Sequence, residues 1–176
     1  ATGYLAAKGI EVEEYGNVVE YLKALPAEGK VLVDERHCSY CLYKTVAEKL
    51  ALVEKKNPTE LLKAIKNPVE LANMEKMYLK DSVALTKFIY WLKKNIGKTE
   101  ITEITAADKL EELRREVPEC LGLSFPTIGG YKANAAMMHY EATPESHAVL
   151  APEGLFLVDS GGQYLGATTD VTRTIV

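Results

Sequence analysis

Two spacings organise the hydrophobic positions of this chain. From Pro68 to about Gly97, the residues Leu71, Met74, Tyr78, Leu85, Ile89 and Leu92 recur at intervals of three, four and seven. Such intervals place side chains on one face of a helix, so a single long helix with this stripe in the core is predicted. Asn67 is a good cap for it, Pro68 suits the first turn, and Glu70 follows the cap by three residues. A second helix is predicted over about Glu103 to Glu116. Ile104, Ala107, Leu110 and Leu113 would face inward, with Arg114, Arg115 and the acids in water. After Pro118 the pattern shifts to short apolar runs broken by Gly and Pro, which read as strands. Leu155–Val158 reads as a buried strand, and Val171–Val176 has the branched residues of a returning one. Gly161, Gly162 and Gly166 permit a turn between them.

The first third alternates helix and strand. Gly9 suits the left-handed end of a short helix. Asn17 and Glu20 suit the start of another, with Val18, Val19 and Leu22 behind it and Pro26 beyond its end. Lys30–Asp34 reads as a short buried strand. Ser39 to about Leu52 reads as a helix, with Leu42, Val46 and Leu50 or Val53 inward. Helix, strand and helix on this scale suggest the tail of an α/β domain. The polar stretch Lys55–Pro58 is the expected boundary. Residues 1–56 would close a non-catalytic α/β domain, and residues 57–176 would open an α+β domain of two helices followed by strands.

Composition narrows the function classes. The chain has 47% hydrophobic and 26% charged residues and a net charge of −4. That balance is ordinary for a globular protein and argues against electrostatic binding to nucleic acid or a membrane surface. No apolar run is long enough to span a bilayer. Three cysteines without a disulfide framework fit a reducing compartment. Cys38 and Cys41, beside His37, have a spacing that raises zinc and redox readings. Zinc needs a fourth ligand that no second Cys or His pair supplies. Cys41 also falls in the helical pattern of Leu42 and Val46, so packing is expected for it.

The candidate chemistry lies near the end of the chain. Asp159 closes the apolar run, and Asp170, eleven residues later, precedes the returning one. A hairpin here would aim two carboxylates at one point. Their mutual repulsion must be neutralised, and hard divalent cations with a preference for oxygen ligands do this. The spacing by itself also fits two solvated loop residues. Likewise, His139 by itself reads as a hydrogen-bonded strand histidine.

The words around these residues are more specific. Leu157–Thr174, and above all Thr168-Thr-Asp-Val-Thr-Arg-Thr174, resembles the metal-binding hairpin of the pita-bread metallopeptidases. The similarity is closest to the aminopeptidase P (Xaa-Pro aminopeptidase) branch, whose relatives include prolidase and creatinase. Ser124–Tyr131 and Ala133–Tyr140 are similar to the strands before that hairpin. Pro58–Asn67 and the stretch to Trp91 resemble the start of the catalytic domain in the three-domain, cytosolic type.

The resemblance implies a first half of a pita-bread domain. Asp159 would hold one metal ion and Asp170 would bridge two divalent ions, with manganese the expected metal. His139 would stand beside the dinuclear site and contact the substrate, and Thr172 would orient a metal-bound group. The reaction implied is removal of an N-terminal residue from peptides with proline second, by a cytoplasmic homodimer. Proline lacks an amide hydrogen and constrains the preceding bond, so general peptidases fail there. Prolidase shares the hairpin words, and a non-catalytic peptide- or histone-binding module shares the fold; such modules usually lack the two carboxylates. The family's other ligands, one His and two Glu, lie downstream of the matched positions. The chain begins without Met and stops six residues after Asp170. The expectation is therefore a fragment of a longer enzyme, inactive alone and prone to association.

Overall fold

The computed structural model describes residues 2–176, which form two compact units, one ending at Ile65 and one running from Lys66 to Val176. The first unit opens with α1 (Thr2–Ala6). Its end is closed by Gly9 at φ 72° and by hydrogen bonds from Ile10 N to Leu5 O and Gly9 N to Ala6 O, each 3.0 Å. This is the six-to-one and five-to-two pairing that a left-handed glycine permits. α2 (Val18–Ala24) forms as expected, but Asn17 does not cap it through its side chain. A 3₁₀ turn over Tyr15–Asn17 runs directly into the helix, and the Asn17 amide reaches toward Glu13 instead.

β1 (Lys30–Val33) is only partly buried: Val33 is inside and Leu32 is 44% exposed. α3 (Tyr40–Ala47), capped by Ser39, is shorter than its apolar spacing suggested. The residues expected to continue it form β2 (Ala51–Glu54), parallel to β1 with Leu32 opposite Val53. Leu50, Leu52 and Val53 fit either period, and the pairing with β1 decides in favour of the strand. α4 (Pro58–Ala64) follows, with Thr59 N donating to its cap, Asn57, at 3.0 Å.

α5 (Pro68–Asn95) opens the second unit with the full reciprocal cap: Glu70 N donates to Asn67 Oδ1 at 2.9 Å and Asn67 N to Glu70 Oε2 at 2.8 Å. Its buried face is Met77, Asp81, Ala84, Leu85, Phe88 and Leu92. Leu71 and Tyr78, expected in the stripe, are exposed. The true stripe passes through Asp81, a charged position that hydrophobic spacing skips. α6 (Glu103–Arg115) packs on α5, with Ala106, Leu110 and Leu113 buried and Ile104 and Ala107 half-buried.

Arg114 corrects the sequence reading most sharply. Expected in water, it is fully buried. Its Nε donates to Asp81 Oδ1 at 2.8 Å and its Nη2 to Oδ2 at 3.3 Å, while Tyr164 OH donates to the same Oδ1 at 2.6 Å. A buried charge survives when paired and hydrogen-bonded in this way.

The strands of the second unit form two antiparallel sheets. β3 (Cys120–Leu123), β6 (Gly162–Tyr164) and β7 (Ala167–Thr168) make one, in the order β3–β6–β7. β4 (Ile128–Tyr131), β5 (Phe156–Ser160) and β8 (Val171–Ile175) make the other, in the order β4–β5–β8. Phe156 and Val158 of β5 join Phe88, Leu92, Leu110 and Leu113 in the core beneath this sheet. No helix among the described residues is long and apolar enough to cross a membrane.

Candidate metal centre

Alternation along β5 determines which side chains reach the site. Phe156, Val158 and Ser160 point to the core, so Asp159 projects from the opposite face and is half-buried. β8 pairs with β5 such that Thr172 lies directly opposite Asp159. The Thr172 hydroxyl donates to Asp159 Oδ1 at 2.8 Å. This orients one carboxylate oxygen and leaves the other without a hydrogen bond from the described residues.

Asp170 is brought to the same place by the residues before it. The chain leaves β5 through Gly161, runs out along β6, and returns along β7 to Thr169, which is fully buried. Thr169 N donates to Gly162 O at 2.9 Å, and Gly162 N donates to Thr169 Oγ1 at 2.8 Å. Ser124 Oγ adds a bond to Thr169 O at 2.9 Å. The approach is so close that a Cβ at position 161 would lie 1.9 Å from Thr169 O. Only glycine fits there, and the register it allows presents Asp170 just before β8. Thr169, Ser124 and Gly161 thus set the position of Asp170, a role that the sequence pattern does not assign to them.

His139 arrives by a different route from the one expected. Residues 133–140 are not a strand: β4 ends at Tyr131 and a 3₁₀ turn (Lys132–Ala136) follows. His139 is exposed, makes no hydrogen bond among the described residues, and has φ 56°. A left-handed conformation is uncommon outside glycine, although histidine adopts it more readily than most residues.

These three residues share one cleft of about 420 Å³, which is also lined by Thr127, Tyr140 and Glu141. Asp159, Asp170 and Glu141 place three carboxylates on its wall, and no Lys or Arg lines it. Asp170 makes no ion pair or hydrogen bond among the described residues, and the buried Thr127 Oγ1 is likewise without a partner. An acidic, oxygen-rich wall with free lone pairs and no basic side chain fits a hard divalent metal. Burial, and after it the hydrogen bond to Glu103, raises the Tyr140 phenol above its usual range, so the phenol stays neutral beside this wall.

Among the described residues, the group of three potential ligands whose donor atoms all lie within 4.8 Å of one another is in the first unit, at Asp34, His37 and Glu60, whereas Asp159, Asp170 and Glu141 share a cleft without that close a grouping. Here His37 Nδ1 sits 3.2 Å from Asp34 and 3.3 Å from Glu60. Arg36, Lys55 and Lys56 line the same hollow. The backbone N–H of Asn57, followed by His37, holds the Asp34 carboxyl below its usual range. Through these contacts, and through the Asn57 N–H that donates to Asp34 at 2.9 Å, the segment after β1 is tied to the start of α4. Cys38 is half-buried and Cys41 is exposed rather than packed, because Leu42 and Val46 turn the other side of α3 inward.

The α+β fold is that of the pita-bread metallopeptidases. The chain belongs to metallopeptidase family M24, whose profile matches residues 72–176, and residues 1–70 match the creatinase/prolidase N-terminal domain. Xaa-Pro aminopeptidase 1 of Dictyostelium discoideum is 40% identical over 171 residues, covering 95% of this chain and 27% of that protein. Xaa-Pro aminopeptidase 2 of Mus musculus is 35% identical over 167 residues, covering 94% and 25%. Among solved structures, the X-prolyl aminopeptidase of Caenorhabditis elegans, described as a cytosolic enzyme with a dinuclear active site, superposes with a TM-score of 0.86. It is 29% identical, with 98% of this chain and 29% of that one covered. Prolidase from Pyrococcus furiosus shares the fold, with a TM-score of 0.66 at 23% identity. The chain spans between a quarter and a third of the length of these Xaa-Pro aminopeptidases.

Proposed function

We propose that this chain supplies the first part of the active site of a dinuclear Xaa-Pro aminopeptidase. The observation that carries the reading is the convergence of Asp159, Asp170 and His139 on one cleft without basic residues. Residues 1–56 belong to the non-catalytic domain and residues 57–176 to the first half of the catalytic one. Asp159, braced by Thr172, and Asp170 would be the residues of this chain that hold the metal. Manganese suits such carboxylates better than zinc does, on grounds of ligand softness. When bound, the ions supply positive charge that polarises the scissile carbonyl and acidifies water. His139 lines the cleft with its ring exposed, where its nitrogens can hydrogen-bond the peptide. The cytosolic setting of the nematode relative supports the same setting here.

The relatives at 35–40% identity are Xaa-Pro aminopeptidases, which favours longer peptides with proline second over the dipeptides of a prolidase. Two carboxylates cannot complete the coordination of two ions, so residues 1–176 alone bind one ion weakly and do not turn over substrate. The test has two parts. Manganese titration of the 176-residue chain should show weak binding that D159N and D170N each abolish. The protein that carries this chain together with a His and two Glu ligands should release the first residue of an Xaa-Pro-Xaa peptide. Turnover by residues 1–176 alone, or manganese binding that survives both substitutions, would contradict the reading.

A further inference from the structure

We propose that Glu103 is the positioning residue of this site: its buried carboxylate gathers both ends of the loop over residues 132–148 and, through Tyr140, holds His139 in the cleft. The inference rests on the reading of the cleft given above.

Glu103 opens α6 and is fully buried. Its carboxylate accepts from Tyr131 N at 2.7 Å, where the loop begins, and from Ala148 N at 2.8 Å, where it ends. Asn134 Nδ2 lies 3.1 Å and 3.2 Å from its two oxygens, and Tyr140 OH donates to it at 2.8 Å. Asn134 also donates to the Tyr140 hydroxyl at 3.0 Å. In return, Glu103 N donates to Ala148 O at 3.1 Å.

Every one of the groups that meet this carboxylate is a donor, and every one belongs to the loop or its edges. The cost of desolvating this carboxylate is offset by the donors that meet it, two of them backbone N–H groups that would otherwise be left unpaired. This one sits at the N-terminus of α6, where the helix dipole favours negative charge. The loop it gathers has little regular structure, which by itself would leave His139 loosely placed. Glu103 ties the loop at four points. One of them, Tyr140, is the immediate neighbour of His139 and lines the same cleft. The left-handed backbone of His139, φ 56°, is the conformation that this fixation maintains. Burial keeps the Tyr140 phenol protonated and able to donate.

The test is Y140F, which removes one hydroxyl, alongside E103Q, which alters the hub itself. The first readout is the imidazole resonance of His139 in the metal-free chain, assigned by its loss in H139Q. The second is the kinetics of the protein that carries this chain. Positioning predicts that the His139 resonance moves in both variants while Y140F, although less stable, remains fully folded at the temperature of measurement. It also predicts a fall in kcat of about tenfold with KM little changed, as expected when a group is misplaced in the transition state while ground-state binding is kept. An unmoved His139 resonance in a folded Y140F would overturn the proposal, as would an unchanged kcat. If E103Q does not fold, Y140F alone decides. The resonance is read without metal or substrate, so a shift in an enzyme without Xaa-Pro activity would sink the functional reading and leave the positioning role standing.

Discussion

Thr172 and Asp159 face each other across β8 and β5, and the threonine hydroxyl donates to the carboxylate at 2.8 Å. This bond leaves one oxygen of Asp159 directed and the other free. Groups that orient a metal ligand in this way typically contribute tenfold to hundredfold in affinity. T172V should therefore weaken manganese binding by about tenfold or more. T172S, which keeps the hydroxyl, should restore most of it. Calorimetric titration of the two variants checks this, and equal affinities would remove Thr172 from the site.

Gly161 sets the approach between the two aspartate segments. An added Cβ would sit 1.9 Å from Thr169 O, a backbone atom that cannot swing away. G161A should destabilise the protein by about 2–4 kcal/mol, the range of a forced backbone shift in a packed region. It should also lower manganese affinity, because Asp170 follows Thr169 directly. Urea unfolding and metal titration of the same variant test both effects.

The Asp81–Arg114 pair makes a different prediction. Removing one partner leaves a buried charge uncompensated, so R114M should cost about 3–5 kcal/mol in urea unfolding. Tyr164 shares the Asp81 carboxylate. Replacing all three residues, as D81L/R114M/Y164F, removes every charge and orphaned hydroxyl together. That variant should recover most of the loss, and a triple variant as unstable as R114M would show that the polar network itself specifies the packing of α5 on α6.

Tyr164 also gives the fold an alkaline limit. Burial, and then its hydrogen bond to Asp81, pushes its phenol well above the ordinary value of 10.0. The folded state thus holds this proton more tightly than the unfolded state does. The resulting stability is full below the ordinary value and is lost as pH rises through the folded one. In a phenolate absorbance titration, one of the ten tyrosines should ionise only as the protein unfolds. Y164F should remove that late step and flatten the loss of stability at high pH.

Local signals are legible in the sequence and distant pairings are not. The cap of α5 is readable because Asn67, Pro68 and Glu70 carry all of its chemistry within one turn. Arg114 reads as a solvated residue because its partner, Asp81, lies 33 residues away on another helix. β2 is hidden because Leu50, Leu52 and Val53 satisfy either period, and the choice depends on β1. The two aspartates stand out only through the words around them. The residues that aim Asp170, namely Gly161, Ser124 and Thr169, act through backbone contacts that no spacing rule exposes. His139 reads as a strand residue but lies in a loop, because that loop is organised by Glu103 from a separate helix.

On the reading proposed above, Asp159 and Asp170 would hold metal at one site and both would be needed for a two-metal centre. The most direct measurement is the electron paramagnetic resonance spectrum of the protein that carries this chain, loaded with manganese, in wild-type and D170N forms. Wild-type protein should give an exchange-coupled pair and D170N only isolated, weakly bound manganese; a coupled pair that persists in D170N would show that Asp170 is not a ligand of the site.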